Sequence, residues 1–525
     1  MNKHLPLHRC ESPVGRLKRL SRKQWVLVAC IVTLLFVVLR SGNHESTDVG
    51  KRNPTPLRMD WSAWPTTDLT GPNEETSIFS HSQFDADAVQ DSGDADLKPV
   101  TAVVYRVSNN VQNIINTVHH LTKYPFFQEI YIHSPMGMPK LTVEDLQVDA
   151  DQVNVHLFDE TNERLGSLAR FTTCAMATNE YCYFQNDKWH NLHLDSLYLN
   201  FVRYPNLIHA TAPPASYLDQ LRWRMTNPEV SMHAGYAELQ YGAFAPRWKA
   251  QTFMTQLGKS SLIKDRLRMA DMYFSLWTNQ YPWLLSNPVE VASENTDAIY
   301  TWPGNLRSNL NQAARKLYHT LETTTEETPK DYFERPEEVP YLDERDVRAS
   351  CKSDRCLFTT NIDFLPDPSS LHFTNANYSG IPEYEEMYNS LAQTPSSEFW
   401  DAHGYYMAVD QDPATCWNSF QNPGSNSYFG LLLMGDLNVQ SVDILTRNNV
   451  DQAKEFFQVS VTANGTEWET CVTTAASTSW QNSLTNLHLE LECGDLSARA
   501  IRFYFTNDQT EPFNVCGMTL DAFSV

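Results

Sequence analysis

The chain has 525 residues, 42% of them apolar and 20% charged, with 19 Gly and 28 Pro. It therefore has ordinary globular cores to bury and is neither collagenous nor of low complexity. Its formal charge of −23, from 40 Lys and Arg against 63 Asp and Glu, excludes nucleic acid as the main partner, because phosphate binding needs a basic face. The charge is unevenly spread. Residues 1–24 hold Lys3, Arg9, Arg16, Lys18, Arg19, Arg22 and Lys23 against Glu11 alone, and read as a cytosolic basic tail. Trp25–Leu39 follows without a charge. Residues 25–40 read as an uncleaved transmembrane signal-anchor with Arg40 snorkelling at its far end. The 15-residue run is short for a span but suits a thin early-secretory bilayer. The basic flank stays cytosolic, so everything beyond residue 40 is expected in the lumen of the endoplasmic reticulum or Golgi, as a single-pass type II protein.

Residues 41–98 carry eleven acids against four bases with little apolar periodicity, and read as an extended stem. The texture changes at Pro99. Val100–Val107 is a continuous β-rich run, and Val111, Ile114, Ile115, Val118 and Leu121 then recur at helical spacing. Ile130–Ile132 and Val153–Leu157 are further strands, so a βαβ unit and a mostly parallel sheet follow. Tyr181–Phe184 is a fourth strand ending in Gln185, Asn186 and Asp187. A helix through Leu194, Leu197, Tyr198 and Phe201 comes next, then a strand at Leu207–Ala210 and helices near 265–285 and 306–321. This α/β domain is assigned to 99–321. Residues 322–394, charged and punctuated by Pro, read as a linker. In 395–525, short alternating runs such as Tyr428–Leu433, Val439–Leu445, Phe456–Val461, Leu487–Leu491 and Ala500–Phe505 predict an all-β sandwich.

Beyond the span lie eight cysteines: Cys174, Cys182, Cys351, Cys356, Cys416, Cys471, Cys493 and Cys516. An even lumenal count fits disulfides in an oxidising compartment. Short loops suggest Cys174–Cys182 and Cys351–Cys356, leaving the last four to pair among themselves. Asn377 and Asn464 head N-glycosylation acceptor triplets.

The chain has no G-x-S-x-G, H-E-x-x-H or C-x-x-C motif. The chemical signal is positional. In an open α/β sheet, ligands sit beyond the carboxyl ends of the strands. Asp187 lies there, where a carboxylate can bind a hard divalent cation that bridges a diphosphate, and Asn186 can add an oxygen. On spacing alone a polar turn explains the same residues.

The stretch from about 100 to 290 resembles the GT-A-type glycosyltransferase domain of the exostosin family, a Rossmann-like fold. The resemblance rests on TAVVYRV, FFQEIYIHS, Asn162–Leu165 with Ser167, Arg170 and Phe171, then Phe184–Asp187, Tyr204–Ile208, Tyr241–Phe244 and Arg268–Met272. Of that family's Asp-rich metal motif only Asp187 remains, and Ala270 stands where the family has Glu beside Asp271. The resemblance implies transfer of a sugar from a nucleotide-sugar, UDP-linked, to an acceptor hydroxyl, with retained configuration and a divalent metal, Mn2+, as cofactor. Asp187 would hold the metal. Arg106, Arg164, Arg170 and Asn186 would face the diphosphate or nucleoside. Asp271 would be the catalytic carboxylate, and Tyr241, Gly242 and Ala243 would lie on the acceptor side.

Ala408–Trp417, Tyr428–Leu431, Phe457–Ser460, Asn464–Trp468 and Ala500–Phe503 are similar to the discoidin, or coagulation-factor type C, domain. That implies a jelly-roll-like sandwich of a family that often binds glycans or lipid headgroups. Trp417 and Trp468 are expected in its core. Two functions stay open. One is a membrane-anchored glycosyltransferase of the secretory pathway acting on a glycan or glycoprotein. The other is a catalytically inactive, membrane-anchored glycan-binding protein using both folds.

Overall fold

The computed structural model describes residues 97–148, 153–160, 165–292 (except 261, 263 and 268), 306–323, 345–363, 365, 373 and 396–524 (except 451, 452, 466, 482, 495 and 496). The expected tail, span and nearly all of the stem lie outside the described residues, as do Arg164 and Asn377. Among the described residues no helix is long and apolar enough to cross a membrane.

The first lobe is built on a seven-stranded sheet. Its strands are β1 (Val100–Tyr105), β2 (Phe127–Ser134), β3 (Asn154–Asp159), β4 (Tyr181–Asn186), β5 (His209–Ala212), β6 (Ala243–Pro246) and β7 (Trp283–Ser286). Their order is β7-β5-β6-β4-β1-β2-β3. Strand β6 alone runs antiparallel to its neighbours β4 and β5. Every other pairing is parallel. Helix α1 (Val111–Leu121) starts at Asn110, whose side chain accepts from the Gln112 N–H at 3.0 Å. Helices α2 (Leu168–Met176), α3 (Leu194–Arg203), α4 (Pro214–Arg222), α5 (Arg247–Lys259), α6 (Asp271–Trp277) and α7 (Leu306–Glu322) follow.

The period-two alternation of β1 sorts the helices onto two faces. Val103 packs in one core with Phe171 of α2, Phe253 of α5 and Phe274 of α6. Ala102 and Val104 pack in the other, with Ile114 and Val118 of α1 and Leu197 of α3. A sheet buried on both faces explains why β1 reads as an unbroken apolar run. The expected helix near 265–285 is not continuous. It gives way to Lys264–Leu267, then α6, then β7. Pro282 and the positive φ of Asn279 (56°) end the helical path and turn the chain into the sheet.

The second lobe is antiparallel. The long β10 (Tyr428–Thr446) bends so that its first half pairs with β9 (Cys356–Thr360) and β15 (Ala498–Phe505). Its second half pairs with β14 (Leu484–Glu492) and β16 (Gly517–Ser524). Strands β11 (Phe457–Thr462), β12 (Glu469–Thr470) and β13 (Val472–Gln481) complete the sheet with β8 (Val347–Ser350). Trp417 is buried with Phe429, Phe503 and Phe513. Trp468 does not join that core. It is half-buried, with the Arg502 guanidinium 4.0 Å above its ring, because it follows the polar Asn464–Glu467 turn.

The segment expected as a linker contains the β8–β9 hairpin, which adds to the sandwich and also locks it to the first lobe. Cys351–Cys356 closes the hairpin loop, and Asp354 in that loop has a φ of 57°. Its carboxylate accepts from the N–H groups of Asp195 and Ser196 at 2.9 and 3.0 Å, capping α3. Ser350 exchanges two bonds with the Asn287 side chain at 2.8 and 2.9 Å, and the Trp283 indole donates to Val347 O at 2.9 Å. The other disulfides are Cys174–Cys182, Cys416–Cys516 and Cys471–Cys493. They fit an oxidising, secretory environment. Replacing Asp354 by Ala strands buried helix-terminal donors and is expected to cost about 2 kcal/mol in chemical unfolding. An unchanged midpoint would show that the hairpin does not hold the lobes together.

Candidate functional site

The carboxyl ends of β1 and β4 lie side by side, with Tyr105 in register with Asn186. The chain leaves β1 towards α1 on one face, while α2 precedes β4 on the other. This is a topological switch point, the place where an α/β sheet opens a crevice.

Asp187 follows β4 directly and is fully buried. Its Oδ1 accepts from the N–H groups of Val107 and Ser108 at 2.7 and 3.2 Å, and its own N–H donates to Tyr105 O at 3.3 Å. Its Oδ2 is buried without a hydrogen-bond partner. Burial pushes the carboxyl up to about 6, against the lowering effect of these bonds and of Arg106. Arg106 is buried too, and donates to Ser134 Oγ and Pro139 O, both at 2.9 Å. It braces the ends of β1 and β2 behind the lip rather than opening to it.

On the other side of the lip stands Arg170, in the first turn of α2 and 2% exposed. One terminal nitrogen donates to Asp271 Oδ2 at 2.5 Å and the other donates to Asn186 Oδ1. Its guanidinium lies 5.8 Å from the Tyr105 ring centroid. Asp271 opens α6, and its N–H donates to Ser167 Oγ at 3.1 Å. Its side chain is 24% exposed, and its Oδ1 has no hydrogen-bond partner. Burial raises the Asp271 carboxyl above the ordinary range although Arg170 opposes the shift. Asn186 extends the network by donating to Gln240 Oε1 at 3.4 Å, and Gln240 donates to Glu238 Oε2 at 2.7 Å. Sequence reasoning named Arg170, Asn186 and Asp271 singly. It named Ser167 only as part of a motif, without a site role, and missed Gln240 and Glu238, although Gln240 adjoins a segment it had singled out.

Tyr241, Gly242 and Ala243 are not open to an acceptor. Tyr241 and Ala243 are buried, and the Tyr241 ring lies 5.0 Å from that of Trp189. Gly242 has φ +120°, and a Cβ there would come within 2.5 Å of both Asn191 Nδ2 and Tyr183 OH. The glycine is required by packing behind the lip. Asn464 is exposed in the turn after β11.

A divalent cation asks for about six oxygen ligands. Asp187 offers one uncommitted oxygen with the Arg106 charge beside it. Among the described residues no three of His, Cys, Asp and Glu group together. The residues present therefore do not fit a metal held by the protein alone. The Asp410–Asp412 turn is likewise closed on itself, with Asp410 accepting from Asp412 N–H at 3.0 Å and from Thr415 Oγ1 at 2.7 Å.

Comparison with known proteins assigns the second lobe. Residues 392–517 match the family model of the F5/8 type C domain. The chain carries a C-terminal F5/8 type C domain. No curated protein matches the chain. Among solved structures, CpGH89CBM32-5 from Clostridium perfringens, in complex with GalNAc-β-1,3-galactose, is 13% identical. It covers 22% of this chain and 82% of its own, with a TM-score of 0.18. The mannosyltransferase PcManGT from Pyrobaculum calidifontis, in complex with GDP-Man and Mn2+, is 13% identical over 44% of this chain and 78% of its own (TM-score 0.28). Glucosyl-3-phosphoglycerate synthase from Mycobacterium tuberculosis, in complex with Mg2+ and uridine diphosphate, is 12% identical over 44% and 81% (TM-score 0.27).

Asp187 binds more protons folded than unfolded between its ordinary value of 3.8 and about 6. Its contribution to stability therefore falls as pH rises through that window and stays low above it. Asp187→Asn keeps the acceptor for Val107 and Ser108. It is expected to raise stability at pH 7.5 by about 1–3 kcal/mol and to change little at pH 3.5. A loss of stability at pH 7.5 would show that the buried charge is held favourably.

Proposed function

We propose that the chain is a glycosyltransferase that moves a sugar from a nucleotide-sugar, UDP-linked, onto a glycan or glycoprotein. The observation that carries this reading is the Asp271 carboxylate at the lip of the parallel strands, with one oxygen held by Arg170 and the other uncommitted. A carboxylate whose proton affinity is raised by burial, and whose second oxygen has no hydrogen-bond partner, is suited to take a proton from an acceptor hydroxyl. The acceptor oxygen bonds to the anomeric carbon, the bond from that carbon to the diphosphate oxygen breaks, and the hydroxyl proton passes to Asp271 Oδ1. Arg170 fixes Asp271 and places positive charge beside the developing negative charge of the departing diphosphate. The motif resemblance over residues 100–290 supports the same reaction class.

The F5/8 type C domain supplies the acceptor-holding surface in this reading, and the 25–40 segment anchors the chain in a Golgi or endoplasmic reticulum membrane. A glycan-binding protein without catalysis is the competing reading. It is favoured by the single carboxylate at Asp187 and by the closed pairing of Arg170 with Asn186.

The test is to incubate the full chain with a panel of UDP- and GDP-sugars, with and without manganese, and to measure donor binding and nucleoside diphosphate release. Asp271→Asn is expected to slow release by roughly 10²–10⁴-fold while leaving donor affinity within about threefold. Absence of donor binding alongside retained glycan binding would establish the competing reading.

A further inference from the structure

Of the two acceptor triplets in the sequence, Asn464-Gly465-Thr466 is the one whose asparagine lies among the described residues. Asn464 sits in the turn that joins β11 to β12, and β12 is the last strand in the order β8-β9-β10-β15-β11-β12. The triplet therefore stands at an edge of the sandwich sheet, and Asn464 is exposed there.

The turn is shaped around the carbonyl end of the Asn464 amide. Its Oδ1 accepts from the Glu467 N–H at 2.9 Å and from Thr462 Oγ1 at 3.3 Å. The Gly465 N–H donates to Thr462 Oγ1 at 2.9 Å, and Gly465 takes a φ of +73°, which glycine adopts without strain. At the other end of the amide, Nδ2 donates to Glu467 Oε2 at 3.2 Å. Glu467 is itself exposed, so its long side chain can swing into solvent while its backbone N–H keeps the turn. A bulky, hydrated substituent on Nδ2 is thus compatible with the folded turn.

We propose that Asn464 carries an N-linked glycan, taken from a lipid-diphosphate-linked oligosaccharide of the secretory pathway. The bond from Nδ2 to the anomeric carbon forms, the bond from that carbon to the diphosphate oxygen breaks, and one amide proton is released with the lipid diphosphate. Nδ2 keeps one N–H, and the Oδ1 bonds to Thr462 and Glu467 are untouched. The proposal rests on the lumenal placement of the chain beyond residue 40, and not on the reading of Asp271.

The test is to express the full chain in cells with a secretory pathway and to release its glycans with an amidase in heavy-oxygen water. Each occupied Asn then becomes a labelled Asp, read by peptide mass spectrometry. Residue 464 is expected to carry the label. Thr466→Ala, which leaves Thr462, Asn464 and Glu467 in place, is expected to lose it. That variant also separates glycan release from spontaneous deamidation of the Asn-Gly pair. Glu75→Thr creates an acceptor triplet at Asn73, ahead of both folded lobes, and reports delivery to the lumen independently. A label at residue 73 with none at 464 would overturn the site and leave the lumenal placement standing. No label at either position would overturn both, and a label at 464 that survives Thr466→Ala would overturn the site.

Discussion

The Arg170 guanidinium joins three parts of the first lobe that are far apart in sequence: α2, which carries it, the end of β4 through Asn186, and the start of α6 through Asp271. A buried arginine carries a large desolvation cost unless its donors are used; here both terminal nitrogens find oxygen partners, while Nε is buried without one. The consequence is geometric. Asp271 is held on one oxygen only, so the other faces a defined direction beside the strands' carboxyl ends. The Cys174–Cys182 bridge supports the arrangement by tying the end of α2 to the second residue of β4, so that the strand and the arginine-bearing helix keep their relative positions. Closing so short a loop limits the unfolded chain and is worth about 2–3 kcal/mol in the chain-entropy account.

The lip breaks ordinary packing rules at several side chains. Asp187 keeps an oxygen buried without a partner, and Asp271 does the same with its Oδ1. Each lowers stability, and such exceptions concentrate where a protein acts on something else. Arg106, beside Asp187, likewise keeps its Nε and one terminal nitrogen buried without a partner, whereas behind it the structure is conventional: apolar β1 packed on both faces and Gly242 where no side chain fits.

Much of this was legible in the sequence because its signals are periodic. The run at β1, the spacing in α1 and the alternation in β14 and β15 each follow from one or two buried faces. The short β6 was not legible as an antiparallel insert, since four residues carry no period and its pairing is set by the neighbours β4 and β5. The β8–β9 hairpin was hidden beside a charged, Pro-rich segment, and its hold on α3 depends on a carboxylate that meets its partners 158 residues away. The same reason kept the Arg170–Asp271 pair from view. Motif resemblance pointed to each residue, but their contact spans 101 residues and only folding brings them together. The side chains of Tyr241 and Ala243 drew attention as an acceptor motif, whereas their burial shows them packed inside the lobe.

The central claim is that Arg170 and Asp271 act as one unit. A double-mutant cycle with Arg170→Gln, Asp271→Asn and the combination, read by chemical denaturation, measures this directly. The account predicts a coupling of about 2–3 kcal/mol, as for a buried, hydrogen-bonded ion pair. A coupling below about 0.5 kcal/mol, the value for residues that do not interact, would contradict it.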